Sequence, residues 1–386
     1  MLLEMHIIQN FAPSNLNRDD SGMPKDCEFG GFRRARISSQ CLKSNIRKSK
    51  AFSQRVETGV RTRRVVDFLK TLIKEKYNLE EKETEIIAKA LAEAITKKID
   101  EKNNLTQYLY YTDKQELLGI LEKLFENKND LQEYLQIFQL DDAKEKEIKN
   151  AKTEIYNLAE KALISYLKNN AHKINSIDIA LFGRMLADQP TMKIDAACQV
   201  AHAISTNKVT MDFDYFTAVD DLNPDEETGA GMIGNIGFNS SCFYRYSSID
   251  IEKLLNNISN KKDQAIQGIL GFIEGSIESI PTGKQTSFAA NNVPSYVLVT
   301  INNNNFPVSL VNAFENPIVP KHNLSLSEVS IQKFLEYFDS IKKLYDLNFE
   351  KEFEFGIKVD KNDKKQEVSS YKSFINDIED YLNKTL

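Results

Sequence analysis

The chain has 386 residues, of which 41% are hydrophobic, and its formal net charge at pH 7 is -6. This length supports one large or two ordinary domains. No apolar stretch approaches the ~20 residues of a membrane helix and no secretory signal is visible, so we expect a cytoplasmic protein. The four cysteines and four histidines show no C-x-x-C or H-E-x-x-H spacing, which favours reduced thiols and speaks against a metal site.

A strand, a loop and a basic segment come first in chain order. The residue pattern predicts a strand over residues 4–11 and a turn-rich polar loop over residues 15–22. Residues 32–56 then carry eight Lys or Arg and no Asp or Glu, although the whole chain has 56 acidic and 50 basic residues. A local positive field on an acidic chain indicates a polyanionic ligand bound at one place, and nucleic acid is the first candidate.

The basic segment also has helical periodicity. Ser38 or Ser39 can cap a helix that continues to about residue 52. Leu42 and Ile46 lie four residues apart and are expected to face a core. A neighbouring stripe at positions i, i+4 and i+7 consists of Lys43, Arg47 and Lys50. The spacing therefore predicts a helix with one packed face and one cationic face.

Residues 62–175 have apolar stripes at helical period almost throughout, with charged residues between them. The charges in residues 141–149 are mixed, which is typical of a solvated helix face. This block is predicted to be a helical subdomain inserted into another fold.

Strand patterns return after residue 177. Strands are predicted over residues 196–206, 238–246 and 296–301, and a helix over residues 265–279. With the helical block set aside, the order is β-α-β-β-α-β, so we predict an α+β fold on the ferredoxin-like plan that RNA-recognition modules use. A further strand over residues 353–359 and a helix over residues 371–382 follow.

The segment of residues 211–234 is predicted to be a hairpin with a long tip marked by Gly and Pro. Its aromatic and β-branched residues have few neighbours to bury against in a lone chain. The hairpin either folds over its own core or reaches out to a partner subunit or a stacked polymer.

Several motifs are similar to those of one known family. They are LNRDD at 16–20, KD at 25–26, FGGFRRARISSQ at 29–40, IALFGRM at 179–185, AHAIST at 201–206, DYFTAVDD at 214–221, FNSS at 238–241, FYRY at 243–246, KQ at 284–285 and NAFE at 312–315. In these motifs the chain resembles the CasC family of the RAMP superfamily, the repeated backbone subunit of the type I-E CRISPR surveillance complex Cascade. The resemblance is weakest at residues 65–175 and after residue 320.

The resemblance implies a right-hand-shaped subunit with an RRM-like palm, helical fingers and a β-hairpin thumb. The palm would comprise residues 1–60, 177–208 and 236–386, the fingers residues 61–176 and the thumb residues 209–235.

The resemblance further implies a protein that is not an enzyme and has no cofactor. Members of the family line up, typically six to a complex, along the spacer part of a CRISPR RNA (crRNA). Each thumb displaces one nucleotide per repeat, and the stretches between are free to pair with target DNA. The implied partners are crRNA, target DNA, about six copies of the chain itself and the other Cascade subunits, with no membrane involved.

The helical stripe and the family motif together select Lys43 and Arg47 as the first phosphate contacts. Ser38, Ser39 and Gln40 at the start of the same helix offer backbone N–H groups and hydroxyls to a phosphate, besides capping the helix. The other RNA-binding residues that the resemblance implies are Arg18, Lys48, Arg184, Met185, Phe216, Thr217, Val219 and Lys284.

Alternatives stay open for several of these residues. Arg18 and Arg184 would serve equally well in surface ion pairs, which are common. The three thumb residues are expected to press on the RNA, with Met185 near the kink, or else to pack within the hairpin. Ser44 stands where the family has a further basic residue, so that contact is either absent or supplied by Lys48.

Two other functions are open from the sequence. Asp19 and Asp20 with Asp26 could form a metal-dependent ribonuclease centre, because related subunits of type III complexes use a loop aspartate to cut target RNA. However, no second acid cluster completes a two-metal site, and Asp followed by Ser-Gly is typical of a turn. A stand-alone single-strand binder would instead bind as a monomer with no fixed footprint.

Overall fold

The computed structural model describes residues 1–77, 79–100, 102–140, 144–186, 189–218, 232–304 and 306–386. The strands are β1 Leu2–Ser14, β2 Asp26–Phe29, β3 Phe32–Ile37, β4 Val60–Thr62, β5 Ile99–Asp100, β6 Leu105–Thr106, β7 Tyr110–Thr112, β8 Cys198–Val200, β9 Ala203–Ser205, β10 Asp212–Ala218, β11 Met232–Asp250, β12 Tyr296–Asn302, β13 Lys351–Val359 and β14 Lys365–Glu367.

The α-helices are α1 Ser39–Lys48, α2 Lys50–Arg55, α3 Val65–Tyr77, α4 Glu81–Thr96, α5 Lys114–Phe125, α6 Lys128–Ile137, α7 Glu145–Asn170, α8 Ile177–Phe182, α9 Ile251–Asn257, α10 Lys262–Glu278, α11 Gln285–Phe288, α12 Leu326–Leu344 and α13 Tyr371–Thr385. Short 3-10 helices cover Pro190–Met192 and Val311–Phe314. Within the described ranges, every helix is too short or too polar to span a membrane.

The chain divides into two compact units. The first, which we name the sheet unit, comprises Met1–Arg55, Cys198–Ile251 and Ile266–Leu386. The second, the helical unit, comprises Val56–Ala197 and Glu252–Ala265. The division into palm, fingers and thumb stays a prediction.

The sheet unit is built on one antiparallel sheet with the strand order β14-β13-β12-β1-β11-β9-β3-β2, and β8 and β10 also pair with β11. Its four central strands, β12, β1, β11 and β9, are the fourth, first, third and second strands of the predicted plan. Along the chain, helix α1 comes after β1 and before β9, and helix α10 comes between β11 and β12. This is the ferredoxin-like order, and the predicted α+β class is confirmed.

One strand prediction needs correction, and one hairpin was not predicted. The strand predicted over residues 196–206 is in fact the two short strands β8 and β9, which both pair with β11. Strands β2 and β3 form a hairpin that was not predicted. Its turn residues Gly30 and Gly31 have φ values of 62° and 77°, as a two-residue type I′ turn requires.

The helix predicted to continue to residue 52 is interrupted at Ser49. This residue is extended, with φ -65° and ψ 149°. Its hydroxyl donates to Ile46 O at 2.7 Å and accepts from Phe52 N–H at 3.2 Å. A serine side chain that bonds the backbone on both sides ends α1 and begins α2.

Apolar side chains cover both faces of the sheet. On one face Leu42 of α1 belongs to a buried cluster with Phe11 and Phe243. On the other face Phe334 of α12 belongs to a cluster with Tyr244 and other aromatic residues. The basic helix is therefore fixed to the sheet through its apolar side.

The helical unit has its own core, formed mainly by α3 to α7. These five helices lie inside the block predicted to be helical. The start of α7 is exposed from Glu145 to Glu147, as predicted for a solvated face; residues 141–143 of that run lie outside the described residues.

Candidate nucleic-acid interface

Helix α1 carries the first two cations of the predicted stripe, Lys43 and Arg47, whereas the third, Lys50, lies beyond the break at Ser49 and begins α2. Ser38 caps α1, because its Oγ accepts the Cys41 N–H at 3.3 Å, and the first turn contains no acidic residue. Lys43 and Arg47 are partly exposed, while Lys48 is exposed. The positive end of the helix dipole and the side chains of Lys43, Arg47 and Lys48 together favour a phosphate-bearing ligand.

The two other residues at the start of α1 differ in exposure. Ser39 is buried and Gln40 is exposed. The backbone N–H of Ser38 donates to Asn17 Oδ1 at 2.8 Å, which ties the helix start to the loop that carries Arg18.

At least four of the eight cations in residues 32–56 are engaged by the protein itself. Arg33 forms an ion pair with Asp26 at 2.9 Å. Arg36 donates to the backbone oxygen of Asp26 at 3.1 Å. Arg55 donates to both carboxylate oxygens of Glu274, at 2.5 and 2.8 Å, and this hydrogen bonding raises the pKa of Arg55. Arg33, Arg36 and Arg55 are thus bonded within the protein, and the other cations of the segment, apart from Arg34, lie at residues 43–50.

Arg34 is the fourth engaged cation and is fully buried. One Nη donates to Ser205 O and Thr206 O at 3.1 and 2.9 Å, and the other to Phe314 O and Glu315 O at 2.8 and 2.9 Å. Burial lowers the pKa of this guanidinium. Arg34 joins four carbonyl groups from two distant segments. The N–H groups of its two Nη atoms are all used in these bonds, so none is left for a ligand.

The loop that carries Arg18 is ordered by its neighbour Asp19. One Asp19 carboxylate oxygen accepts from Ser21 N–H, Ser21 O–H and Met23 N–H at 3.0, 2.8 and 2.9 Å. These hydrogen bonds, led by the Ser21 hydroxyl, lower the pKa of Asp19. Arg18 is exposed. The Asp19 carboxylate thus holds a turn, and the described residues contain no group of three or more His, Cys, Asp or Glu placed to bind a metal.

Strands β10 and β11 form a two-stranded ribbon in the segment predicted to be a hairpin. Phe216 is half-buried and its ring lies over Gly234, where a Cβ would come 2.2 Å from Cζ of the ring. Thr217 is exposed. Val219 lies outside the described residues. The opposite face of β10 carries two aromatic side chains that were not predicted as site residues, Phe213 and Tyr215, which are 61% and 65% exposed.

Lys284 is half-buried and adopts a left-handed conformation with φ 51° before α11. The adjacent Gly283 lies against Leu16, because a Cβ on Gly283 would be 2.3 Å from Leu16 O. Asn15 donates to Gly237 O in β11 at 2.9 Å. The Lys284 loop, the Arg18 loop, the start of α1 and the base of the ribbon are thus neighbours within the sheet unit.

Arg184 lies in the helical unit and is buried, contrary to the expectation of an RNA contact. Its two Nη atoms donate to both oxygens of Glu116 at 2.7 and 2.8 Å, and Nε donates to Met192 O at 2.9 Å. Burial by itself would lower the pKa of Arg184, but the Glu116 carboxylate raises it. We therefore assign Arg184 a structural role, whereas the adjacent Met185 is 86% exposed.

The fold and site define an α+β protein whose ferredoxin-like sheet displays a cationic helix and an aromatic ribbon. One chain of a solved structure described as "CRISPR RNA-guided surveillance complex, pre-nicking" has the same fold, with a TM-score of 0.80, 23% identity and 100% coverage of both chains. A chain of a "CRISPR RNA-guided surveillance complex" matches with a TM-score of 0.59 and 20% identity over 99% of both chains.

Residues 3–381 match the family model described as "CT1975-like protein", and the chain belongs to this family. The resemblance predicted from the motifs is thereby confirmed at the level of family and fold. No curated protein matches the chain.

Proposed function

We propose that this chain is a non-catalytic backbone subunit of a type I-E Cascade complex, which binds the phosphate backbone of crRNA in antiviral defence. The observation that carries the proposal is helix α1, where a capped N-terminus without acidic residues leads into Lys43 and Arg47. Membership of the CT1975-like family and the surveillance-complex structures with the same fold support it.

Binding through these groups is independent of RNA sequence. Cations and backbone N–H groups contact phosphates, and exposed apolar side chains contact base faces, so neither reads base edges. In this proposal Lys43, Arg47 and Lys48 hold successive phosphates, with Arg18 and Lys284 at the neighbouring loops. Target sequence is then recognised only by pairing between guide and DNA, as a scaffold for arbitrary spacers requires.

The ribbon and Met185 would hold the RNA kink. Separating two stacked bases costs only a few kcal/mol, so apolar side chains such as Phe216 or Met185 can maintain such a kink. Thr217 and Val219 belong to the same arm in this proposal. About six copies would line up along the spacer in the cytoplasm, together with the other Cascade subunits and target DNA.

The salt dependence of RNA binding tests the role of α1. On single-stranded nucleic acid each phosphate contact contributes about 0.7 to the slope of log K against log salt. We expect Lys43→Ala to reduce this slope by about 0.7 per bound protomer and Lys43→Ala with Arg47→Ala by about 1.4, equally for unrelated RNA sequences. Filter binding or fluorescence anisotropy over a salt series measures the slope.

A matched control removes two cations from other helices of the same unit. Lys343 on α12 and Lys372 on α13 are exposed, so Lys343→Ala with Lys372→Ala changes the net charge equally. This control is expected to keep the wild-type slope. An unchanged slope in the α1 variants, or loss of binding for some RNA sequences only, would contradict the proposal.

A further inference from the structure

A cleft of about 550 Å³ opens in the helical unit next to Met185, and no sequence motif predicted it. Arg61, Leu109, Tyr111 and Lys193 are among its lining residues. Its volume is in the range of sites that hold small molecules.

Two of the lining residues form a stacked pair of side chains. Arg61 of β4 and Tyr111 of β7 are register partners, and the Arg61 Cζ lies 4.8 Å from the centre of the Tyr111 ring. The Tyr111 hydroxyl donates to the buried Asp178 carboxylate at 2.6 Å, which fixes the ring. Tyr111 is buried whereas Arg61 is exposed, so the ring covers one face of the guanidinium and the other face is left to a ligand.

The walls of the cleft combine apolar and charged groups. Leu109, which is 59% exposed, and the still more exposed Met185 both line the cleft. Lys193 also lines the cleft and forms an ion pair of 2.7 Å with Asp195. Exposed apolar side chains beside a stacked guanidinium suit a flat aromatic ligand, because bases stack on arginine planes.

We propose that this cleft receives one unstacked nucleobase of the bound RNA, stacked on the Arg61–Tyr111 pair. This inference rests on the proposed function, which supplies RNA with a displaced nucleotide in each repeat. Stacking on a guanidinium reads no base edges, so any of the four bases fits. The cleft thus gives the displaced base a protein partner.

A double-mutant cycle between protein and RNA tests the proposal. The probes are spacer-length RNAs, each with an abasic site at one position, bound to the full chain and to its Arg61→Ala variant. In the wild type, abasic sites at regularly spaced positions should weaken binding by about fivefold or more, the lower end of base stacking on a side chain. In the Arg61→Ala variant, an abasic site at these positions should no longer weaken binding.

Arg64→Ala is the matched control, because Arg64 is an exposed arginine of the same unit that pairs with Asp67. It should keep the wild-type sensitivity to abasic sites. Leu109→Asp is a second variant that leaves the Arg61–Tyr111 pair intact, places a carboxylate in the cleft and should also abolish the sensitivity.

The outcomes separate this inference from the proposed function. If the α1 variants change the salt slope but abasic sites act identically in wild type and Arg61→Ala, the cleft does not hold the base and the proposed function stands. If Arg61→Ala weakens binding of intact and abasic RNAs equally, Arg61 contacts only a phosphate, and the proposal that the cleft binds a base is wrong. If the α1 variants leave the salt slope unchanged, the proposed function itself fails.

Discussion

Arg34 and Arg33 are adjacent arginines with opposite environments. Arg34 is buried with four carbonyl acceptors, while Arg33 is exposed in a surface ion pair. Unsatisfied buried acceptors are costly, whereas a surface pair contributes 0–1 kcal/mol.

Arg34→Met should therefore lower the free energy of unfolding by about 3 kcal/mol, because the four carbonyls lose the guanidinium donor, although Thr206 O keeps the Ile318 N–H as a donor. Arg33→Met, the matched control, should change it by less than about 1 kcal/mol. Urea denaturation followed by circular dichroism measures both. Equal effects of the two substitutions would show that the four carbonyl contacts are not needed.

The environment of a cation could be predicted from the sequence only where local spacing decides it. The stripe of Lys43 and Arg47 follows from helical period alone. Arg34, Arg55 and Arg184 depend on partners that lie 171, 219 and 68 residues away along the chain. These contacts exist only in the folded chain, so local spacing does not distinguish buried arginines from exposed ones.

At the scale of elements, strand β1 carries polar side chains into the layer between the sheet and α12. His6 is buried against the rings of Tyr244 and Phe334, and its Nδ1 lies 2.8 Å from the Tyr244 hydroxyl. That hydroxyl accepts the Leu310 N–H, so its own proton is available for the histidine. Burial lowers the pKa of His6 from 6.5 to about 3.

This pKa shift predicts a pH dependence of stability with a definite sign. Below pH 6.5 the unfolded chain protonates His6 but the folded chain does not, so stability is present at higher pH and falls as the pH decreases. The His6 contribution should fall by about 2 kcal/mol between pH 7.5 and 5. Glu4 acts in the opposite sense, because burial raises its pKa.

Urea denaturation at several pH values of the wild type and of His6→Gln isolates this contribution, because the other titrating groups are common to both. The variant should lose about 2 kcal/mol less over the same pH interval. His322→Gln, at an exposed position, should behave like the wild type. Parallel pH curves for wild type and His6→Gln would rule out a neutral buried histidine.

Elements could be predicted where a period repeats over many residues and were missed where one side chain or turn decides. The long apolar stripes of α3 to α7 and the alternation in β13 are signals of the first kind. The hairpin at Gly30 and Gly31 and the break at Ser49 are of the second kind. Strict alternation along β10 also places Phe213 and Tyr215 on one face, a signal present in the sequence but not used.

At the scale of the whole molecule, the proposed function predicts assembly along RNA. With spacer RNAs of increasing length, mass photometry should show one more bound copy of the chain at each regular length increment, because every copy covers the same number of phosphates. Nuclease protection should show the same spacing.

A monomer that binds without a fixed footprint would instead give bound copies that rise without regular increments. Duplex DNA of matched length is the control. A duplex is too rigid to take up the kinks that the ribbon is proposed to hold in a single strand, so the number of bound copies should show no regular steps with duplex length.

The overall topology could be predicted because strand order follows from element order in a β-α-β-β-α-β chain. The extent of the helical unit could not, since it includes residues 252–265. Asn257 in this segment donates to Ala180 O and Asp195 O at 3.0 and 2.9 Å. Such side-chain bonds across distant segments have no periodic signature in the sequence.

Strand β11 has a mechanical consequence. It pairs with β10 as far as Phe238 and with β1 from Asn239 onward, so the ribbon and the sheet share one strand with no loop between them. At about 3.3 Å per residue its 19 residues form roughly 60 Å of continuous extended backbone. The ribbon therefore continues a central strand of the sheet. A force on the ribbon twists and bends this strand along its length and does not rotate the ribbon about a hinge.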